Sequence, residues 1–492
     1  MPNPIPRFPV IDLRPINAIL GILIAILGTM MLVPAIVDLV SGDPDWLVFV
    51  VSAGVTVFVG SSLWLAGRQE EPAVLSVRQA FLLTALSWIV LSGFGALPFM
   101  WSAPDLNFAR AYFETVSGLT TTGASVISDL DTMPPGILLW RSLLQWYGGI
   151  GIIVFAIAVL PMLQIGGMQL FRTESSDKSE KFLPRIGQIA NRIIVVYVTL
   201  TVTCAVLYAI TGMDLFDAVN HAMTTISTGG FSTHDGSFGH FANRTAEYIA
   251  VVFMIAGSLP MVLLVRAFAG DFHKLWVNPE VRLFLAIIAV FTVASTLQQR
   301  AFHLNYGEES FRLALFNVTS LITTTGFAAV DYAPWGALSD ALYFLVMFLG
   351  GCTGSTTGGL KMFRLLVLAS AVRQHLRRVI YPNGVFPIRF GATPVTDDVA
   401  ASVMSFLFFY IASFFAVGLI INMMGFDLRT SFSAAVAAVA NVGPGLGPLI
   451  GPAGTYGPMN DTAIWLLSFA MLVGRLEIFT VFVLFLPQFW RP

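Results

Sequence analysis

Four short stretches of hydroxyl-bearing and small residues are the groups in this sequence best suited to chemistry. The first ends Leu119-Thr120-Thr121-Thr122-Gly123-Ala124, and the second ends Ile226-Ser227-Thr228-Gly229-Gly230-Phe231. The third ends Ile322-Thr323-Thr324-Thr325-Gly326-Phe327, and the fourth, the most divergent, ends Val439-Ala440-Asn441-Val442-Gly443-Pro444. The chemistry on offer is oxygen coordination. A dehydrated potassium ion needs oxygens in place of its water, and the backbone carbonyls of an extended loop can supply them. Gly lets the backbone turn a carbonyl inward and adds no side chain to block a path. Thr and Ser add hydroxyl oxygens. None of the four stretches carries an acidic ring for selection by charge, nor the Arg or Lys that an anion pore would want.

Aligned on Gly123, Gly230, Gly326 and Gly443, the stretches recur at steps of 107, 96 and 117 residues. Each follows a helical-looking segment that holds an aromatic residue: Phe113, Phe216, Phe316 and Phe432. A single Thr-Gly pair reads as a close-packing feature of membrane helices. Four aligned copies between long apolar runs read as a repeated unit, and a repeat of this kind decides the fold. The unit is span, half-helix, Gly-containing loop, span. Four such units around an axis place four loops in a ring, and each half-helix turns its carbonyl pole toward that ring, which favours a cation.

The elements that must position these loops are membrane spans. The chain has 492 residues, 56% hydrophobic and 11% charged, with a mean hydropathy of +0.79 and a net charge of −2. A soluble domain carries about 25% charged residues, and uncharged runs of about 18 or more residues mark spans. Candidate spans lie near 16–41, 46–66, 77–101, 136–164, 190–212, 245–269, 281–304, 337–372, 399–425 and 460–488. The first is too long for the apolar core of a signal peptide. Basic residues cluster in alternate connections: Arg7 and Arg14; Arg68 and Arg78; Arg172, Lys178, Lys181, Arg185 and Arg192; Arg266, Lys274 and Arg282; Arg373, Arg377, Arg378 and Arg389. The connections between carry acids such as Asp43, Asp45, Asp129, Asp131, Asp331 and Asp340. The positive-inside rule then places the basic loops and both termini in the cytoplasm. Segments near 105–122, 214–229, 308–325 and 428–442 are too short to cross and must be re-entrant half-helices, tolerated at depth only inside protein or beside a water-filled cavity. The fold expected is all-α integral membrane: four pseudo-repeats around one ion pore, plus two extra N-terminal transmembrane helices. The divisions are 1–70 for that pair, then 71–170, 171–275, 276–385 and 386–492 for the repeats.

Two further features bear on the path. The span near 337–372 is interrupted by Gly350-Gly351-Cys352-Thr353-Gly354-Ser355-Thr356-Thr357-Gly358-Gly359-Leu360-Lys361. Each Gly costs a helix about 1 kcal/mol, so the segment reads as a loop at membrane depth, able to obstruct the path as a gate; a packing kink is the alternative. It lacks the ending and preceding strand of a phosphate-binding loop. Arg475 lies inside the last span, and an intramembrane charge points to function by default. It could repel cations below the loops, bond the Gly-rich segment, or merely tie helices. Glu477, two residues on, faces elsewhere on a helix, and Lys361 could snorkel to the cytoplasm or add to the barrier. His221, near the second loop, reads as a local hydrogen bonder. Cys204 and Cys352 give no disulfide or zinc pattern. No nucleophile with a base and no metal spacing within a span points to an enzyme. A secondary transporter, coupled to sodium or protons, is the competing class; it usually shows inverted repeats, whereas these units share one orientation, and no strong protonatable carboxylate stands out in a span.

Together, the four Gly loops, the Gly-rich break and Gly474-Arg475-Leu476-Glu477 resemble the Trk/Ktr/HKT superfamily of potassium transporters. With its two extra N-terminal spans the chain looks like the bacterial Trk membrane subunit, of the TrkH/TrkG type. The resemblance runs from about Ile16 to Pro487. It implies potassium uptake across the bacterial inner membrane through a gated, channel-like pore, and a homodimer with two separate pores. It also implies a cytoplasmic regulatory subunit that binds a nucleotide (NAD or ATP/ADP), with no covalent cofactor and no nucleic acid on this chain. The loops at about 166–190 and 373–398 are the expected docking surfaces. The residues implied for the filter are Thr121, Thr122 and Gly123; Thr228, Gly229 and Gly230; Thr324, Thr325 and Gly326; Asn441, Val442 and Gly443, with potassium on their backbone carbonyls. Gly350, Gly351, Gly354, Ser355, Thr356, Gly358, Gly359 and Lys361 form the implied gate loop, and Arg475 the barrier. Gly rather than Ser at 123 favours potassium over sodium in this superfamily. All four loops depart from the channel signature Thr-Val-Gly-Tyr-Gly, which implies less strict selectivity.

Overall fold

The structure, a computed structural model, describes residues 11–69, 75–158, 182–302, 304 and 307–491. Among them, strands are confined to a two-residue hairpin, Arg389–Phe390 with Thr393–Pro394; the rest of the regular structure is helical. Among the described residues, six helices are long and apolar enough to cross a membrane, and up to eight spans result if each of two bent pairs counts as one. Helices are the elements expected, because in lipid every backbone N–H and C=O must find its partner within the segment. The burial pattern is inverted relative to a soluble protein. Val40, Phe58, Ile210 and Met423 are 82%, 72%, 74% and 85% exposed, while Thr121, Thr225, Asn317 and Glu114 are fully buried.

A first helical pair, Arg14–Ser41 and Trp46–Gly67, precedes the repeats. It packs backbone to backbone: a Cβ on Gly21 would lie 2.5 Å from the Gly60 carbonyl oxygen, the small-residue contact through which membrane helices associate. The four short segments are helices, as expected: Phe108–Leu119, Leu215–Ile226, Gly307–Ile322 and Leu428–Val439. Asn107, Asp214 and Asp427 cap the first, second and fourth by accepting from Arg110, Phe216 and Thr430 backbone N–H groups, which satisfies donors that a helix start leaves unpaired. Each short helix lies between two further helices. These are Val77–Trp101 and Pro135–Ala158; Phe182–Ile210 and Arg244–Gly257; Pro279–Ala301 and Ala337–Met347; and Asp397–Met423 and Asp461–Arg475.

The second spans of the later repeats differ from the sequence expectation. The span near 337–372 is broken, as read, between Ala337–Met347 and Met362–Ile380. The sequence presents the spans near 245–269 and 460–488 as continuous, but both bend. Arg244–Gly257 meets Met261–Phe268 at 107°, and Asp461–Arg475 meets Ile478–Phe485 at 113°. Pro260 accounts for the first bend, since it lacks an N–H and pushes its predecessor from helical angles. At the second, Glu477 takes a left-handed φ of 61° and ion-pairs with Arg364, whose guanidinium stacks 3.6 Å from the Phe406 ring centroid. Residues 159–164 of the fourth expected span, together with Arg7, Arg172, Lys178, Lys181 and most of the 166–190 loop, lie outside the described residues.

Charged side chains sit deep in the helical core, contrary to the impression left by the apolar runs. Glu114 on the first short helix and Arg141 on the following span are 2.8 Å apart and almost fully buried. Glu114 also accepts from the Val126 N–H at 2.9 Å, and Arg141 donates to the Ser232 carbonyl at 2.7 Å. Arg312 on the third short helix pairs with Glu247 of the second repeat. Breaking a buried pair strands a charge and costs about 3–5 kcal/mol, whereas apolar replacement of both partners is close to neutral. Arg141→Met is therefore expected to lower the detergent-solubilised melting temperature sharply, with partial recovery in Glu114→Leu/Arg141→Met. Equal melting of wild type and Arg141→Met, followed by fluorescence-detected gel filtration after heating, would remove this pair from the fold's supports.

Candidate functional site

The short helices all end in one way. The N–H groups of Thr122, Gly229, Thr325 and Val442 donate to the carbonyls of Ser117, Thr224, Ser320 and Ala437 at 2.8–2.9 Å. One residue earlier, Thr121, Thr228, Thr324 and Asn441 donate to Gly118, Thr225, Leu321 and Ala438. This pair of bonds is the Schellman ending, which needs a left-handed residue. That residue is Thr121, Thr228, Thr324 or Asn441, with φ between 52° and 55°. Left-handed backbone is rare for a β-branched residue, so three of the loops hold Thr in a strained conformation. Two residues on, Gly123, Gly230, Gly326 and Gly443 have φ of 86°, 76°, 81° and 101°. The fourth loop thus shares the backbone of the other three despite its different side chains.

These loops meet. A Cβ on Gly123 would lie 2.2 Å from the Gly229 carbonyl oxygen, and one on Gly230 would lie 1.8 Å from that of Thr325. A Cβ on Gly326 would lie 2.3 Å from the Val442 oxygen, and one on Gly443 2.5 Å from the Thr122 oxygen. Each glycine therefore abuts the carbonyl that precedes the glycine of the next repeat, and the fourth returns to the first. The result is a closed ring in chain order. The oxygens of Thr122, Thr325 and Val442 accept no hydrogen bond among the described residues, while that of Gly229 accepts from Gln145 Nε2 at 2.6 Å.

Side chains brace the ring from behind. Gln145 also accepts from the Phe231 N–H at 3.0 Å, and Tyr456 donates to the Gly443 carbonyl at 2.9 Å. Hydroxyl pairs link Thr120 with Thr122 and Thr323 with Thr325, and Asn441 Nδ2 donates to Thr122 Oγ1 across the join between the fourth and first repeats. His221 is buried and satisfied: Nδ1 donates to the Asp217 carbonyl and Nε2 faces the Ser232 hydroxyl. A recess of about 100 Å³ adjoins the ring, lined by all four glycines and by Ser125, Ser232, His234 and Tyr456. At its rim, burial lowers the His234 pKa, but hydrogen bonds to Asp131 and Asp217 more than reverse this and hold it above the usual imidazole value.

The Gly-rich segment lies on the other side of the ring, against residues that precede the glycines. Thr356 Oγ1 is 3.0 Å from Thr228 Oγ1, and the Gly358 N–H donates to Thr324 Oγ1 at 2.8 Å. A Cβ on Gly358 would lie 2.3 Å from the Ala440 carbonyl. Hydrogen bonds hold the segment along its length. Leu349 and Leu360 bridge its ends, the Cys352 N–H donates to the Ser258 carbonyl, and the Thr353 N–H donates to buried Glu280 at 2.7 Å. Lys361 turns inward to the Thr357 carbonyl and hydroxyl rather than snorkelling out. Arg475 ends its helix beside this segment, within electrostatic reach of Lys361. It is 4% exposed, and none of its guanidinium nitrogens has a hydrogen-bond partner among the described residues. Cys204 and Cys352 are buried and free.

Gln145, Tyr456, Glu280 and the Glu114–Arg141 pair were not read from the sequence. A polar residue in Leu144-Gln145-Trp146, amid an apolar run, was the available signal for Gln145. Nothing local marks Tyr456, which lies 13 residues beyond the glycine that it holds.

Comparison with known proteins gives a consistent result. The family model described as TrkH, cation transport protein, matches residues 48–491. The chain is 41% identical over 481 residues to the Trk system potassium uptake protein TrkI of Halomonas elongata, covering 97% of each. It is 40% identical over 484 residues to the Trk system potassium uptake protein TrkH of Escherichia coli (strain K12), covering 97% of this chain and 99% of that one. The crystal structure of the potassium transporter TrkH from Vibrio parahaemolyticus superposes with a TM-score of 0.90 at 37% identity, covering 98% of this chain and all of that one. With matches of this extent in sequence and in fold, the chain belongs to the TrkH family of cation transport proteins.

Proposed function

We propose that this chain takes up potassium across a bacterial inner membrane, through the ring of four loops acting as a selectivity filter. The closed contact of each glycine with the next repeat's carbonyl carries this reading, because it sets backbone oxygens around one axis at the pole of four helices. Carbonyl oxygens there replace water on a dehydrated cation, and the helix ends add negative potential. The relatives' names supply the ion. The basic connections and both termini lie in the cytoplasm on this reading, and the recess faces outward.

The Gly-rich segment acts as the gate, supported by its bonds to Thr228 and Thr324 directly beneath the ring. Arg475 supplies the barrier. A unit charge about 6 Å from a passing cation, at an effective dielectric of about 20, raises its energy by about 3 kcal/mol. The protein works as a homodimer with one path per chain. A cytoplasmic nucleotide-binding subunit of the Trk type controls opening, docking on the basic connections around 166–190 and 373–398; the relatives' naming as parts of a Trk system supports this.

Two outcomes test the reading in proteoliposomes loaded for rubidium or potassium tracer uptake. Gly123→Ser is expected to lower flux and relax the preference for potassium over sodium, and Gly230→Ala, which likewise adds about 1–2 kcal/mol of left-handed strain before any clash, lowers uptake by more than about tenfold. Unchanged flux and selectivity in both, with folding intact, would sink the filter assignment. Arg475→Ala is expected to raise basal flux by about tenfold or more; basal flux equal to or below wild type would remove Arg475 from the barrier.

A further inference from the structure

The connections that follow the first two glycines bring together side chains that ion passage through the ring does not use. Asp131 lies in the short turn Leu130–Thr132, and His240 in the turn Ser237–Phe241. The imidazoles of His234 and His240 stack with centroids 3.6 Å apart and planes 1° from parallel, and Phe241 meets both edge-on at 5.4 Å. His234 Nδ1 stands 2.5 Å from Asp131 Oδ1, and its Nε2 stands 3.2 Å from Asp217 Oδ2. One ligand atom from each of Asp131, His234 and His240 lies within 4.8 Å of the others. The His240 imidazole makes no hydrogen bond among the described residues, so neither of its nitrogens is committed to a protein partner.

We propose that Asp131, His234 and His240 form a binding site for a divalent transition-metal cation of the Zn²⁺ or Ni²⁺ type, which ties the first two connections together at the rim of the recess. Two imidazoles and a carboxylate suit such ions, whereas Ca²⁺ and Mg²⁺ take all-oxygen sets. Asp217 accepts from Nε2 of His234, which turns Nδ1 toward Asp131 as the coordinating atom. This is the carboxylate–histidine–metal arrangement that orients ligands in metal sites. The metal takes the place of the proton between Nδ1 and Asp131. Small side-chain rotations bring the three ligand atoms to the ~3.4 Å separations of tetrahedral bonds of about 2.1 Å, and water completes the set. His234 lines the recess, so a bound dication adds positive charge where a cation would enter and slows uptake. This last step rests on the ring being the ion path.

The test uses the purified full chain and Zn²⁺ alone. Isothermal titration is expected to show one ion per chain in wild type. Asp217→Asn weakens it by about 10–100-fold, and His240→Ala weakens it by about tenfold or more. Binding equal in wild type and His240→Ala, or none tighter than about 1 mM in wild type, overturns the site. In proteoliposomes, Zn²⁺ on the recess side is expected to slow rubidium uptake in wild type and not in His240→Ala, whose metal-free uptake stays at the wild-type rate. Equal insensitivity of both, with wild-type binding intact, overturns the control of entry and leaves the site. Absence of uptake from every protein, with binding intact, counts against the transport reading instead.

Discussion

The contact on which the arrangement depends is the approach of a glycine α-carbon to a carbonyl oxygen of the neighbouring repeat. It occurs four times, and each join leaves no space for a Cβ. A side chain at any one of them pushes two repeats apart and opens the ring at that join. The constraint also explains the strained residues. The chain must leave each short helix at the same depth and turn at once, which the Schellman ending achieves. It does so with Thr or Asn in the left-handed region, at a cost of about 1–2 kcal/mol per residue. Tolerating that cost keeps a hydroxyl or amide beside the ring, where Asn441 and Thr122 join the last repeat to the first.

Around the ring, polar braces hold what lipid cannot. Lipid offers no partners to polar groups, so many of those in the interior pair with one another. Gln145, Tyr456 and the threonine pairs hold the loops, and Glu114–Arg141 and Glu247–Arg312 tie the short helices to adjoining spans. Among the buried arginines of the described residues, Arg475 is the exception, with no hydrogen-bond partner. A structural arginine at such depth would be expected to find a carboxylate, as Arg141, Arg312 and Arg364 do. Its isolation beside the Gly-rich segment favours an electrostatic role, in line with the barrier proposed for it. Glu477, which shares its motif, is committed to Arg364 and does not neutralise it.

Much was legible along the chain because it rests on local rules. Apolar runs mark spans, and stretches of small residues ending in Gly after short helical segments mark the four loops. The density of glycine from Gly350 to Gly359 is incompatible with a continuous helix, and the break is found there. The two bends were not legible as bends. Pro260 was visible, but apolar residues on both sides of it maintain the hydropathy of a span, and the turn at Glu477 is held by Arg364, 113 residues earlier.

By itself, the sequence determined the helical class, the four units and the identity of their loop residues, because hydropathy and the demand for backbone pairing act on neighbouring residues. Only the tertiary structure decided that the loops close in chain order, which carbonyls remain free, and which charges are paired. Those outcomes depend on contacts across gaps of 84 residues, as for Gln145 and Gly229, or 319, as for Thr122 and Asn441. No local pattern encodes such a distance; it emerges when four similar units pack side by side and leave room for nothing larger than glycine at their joins.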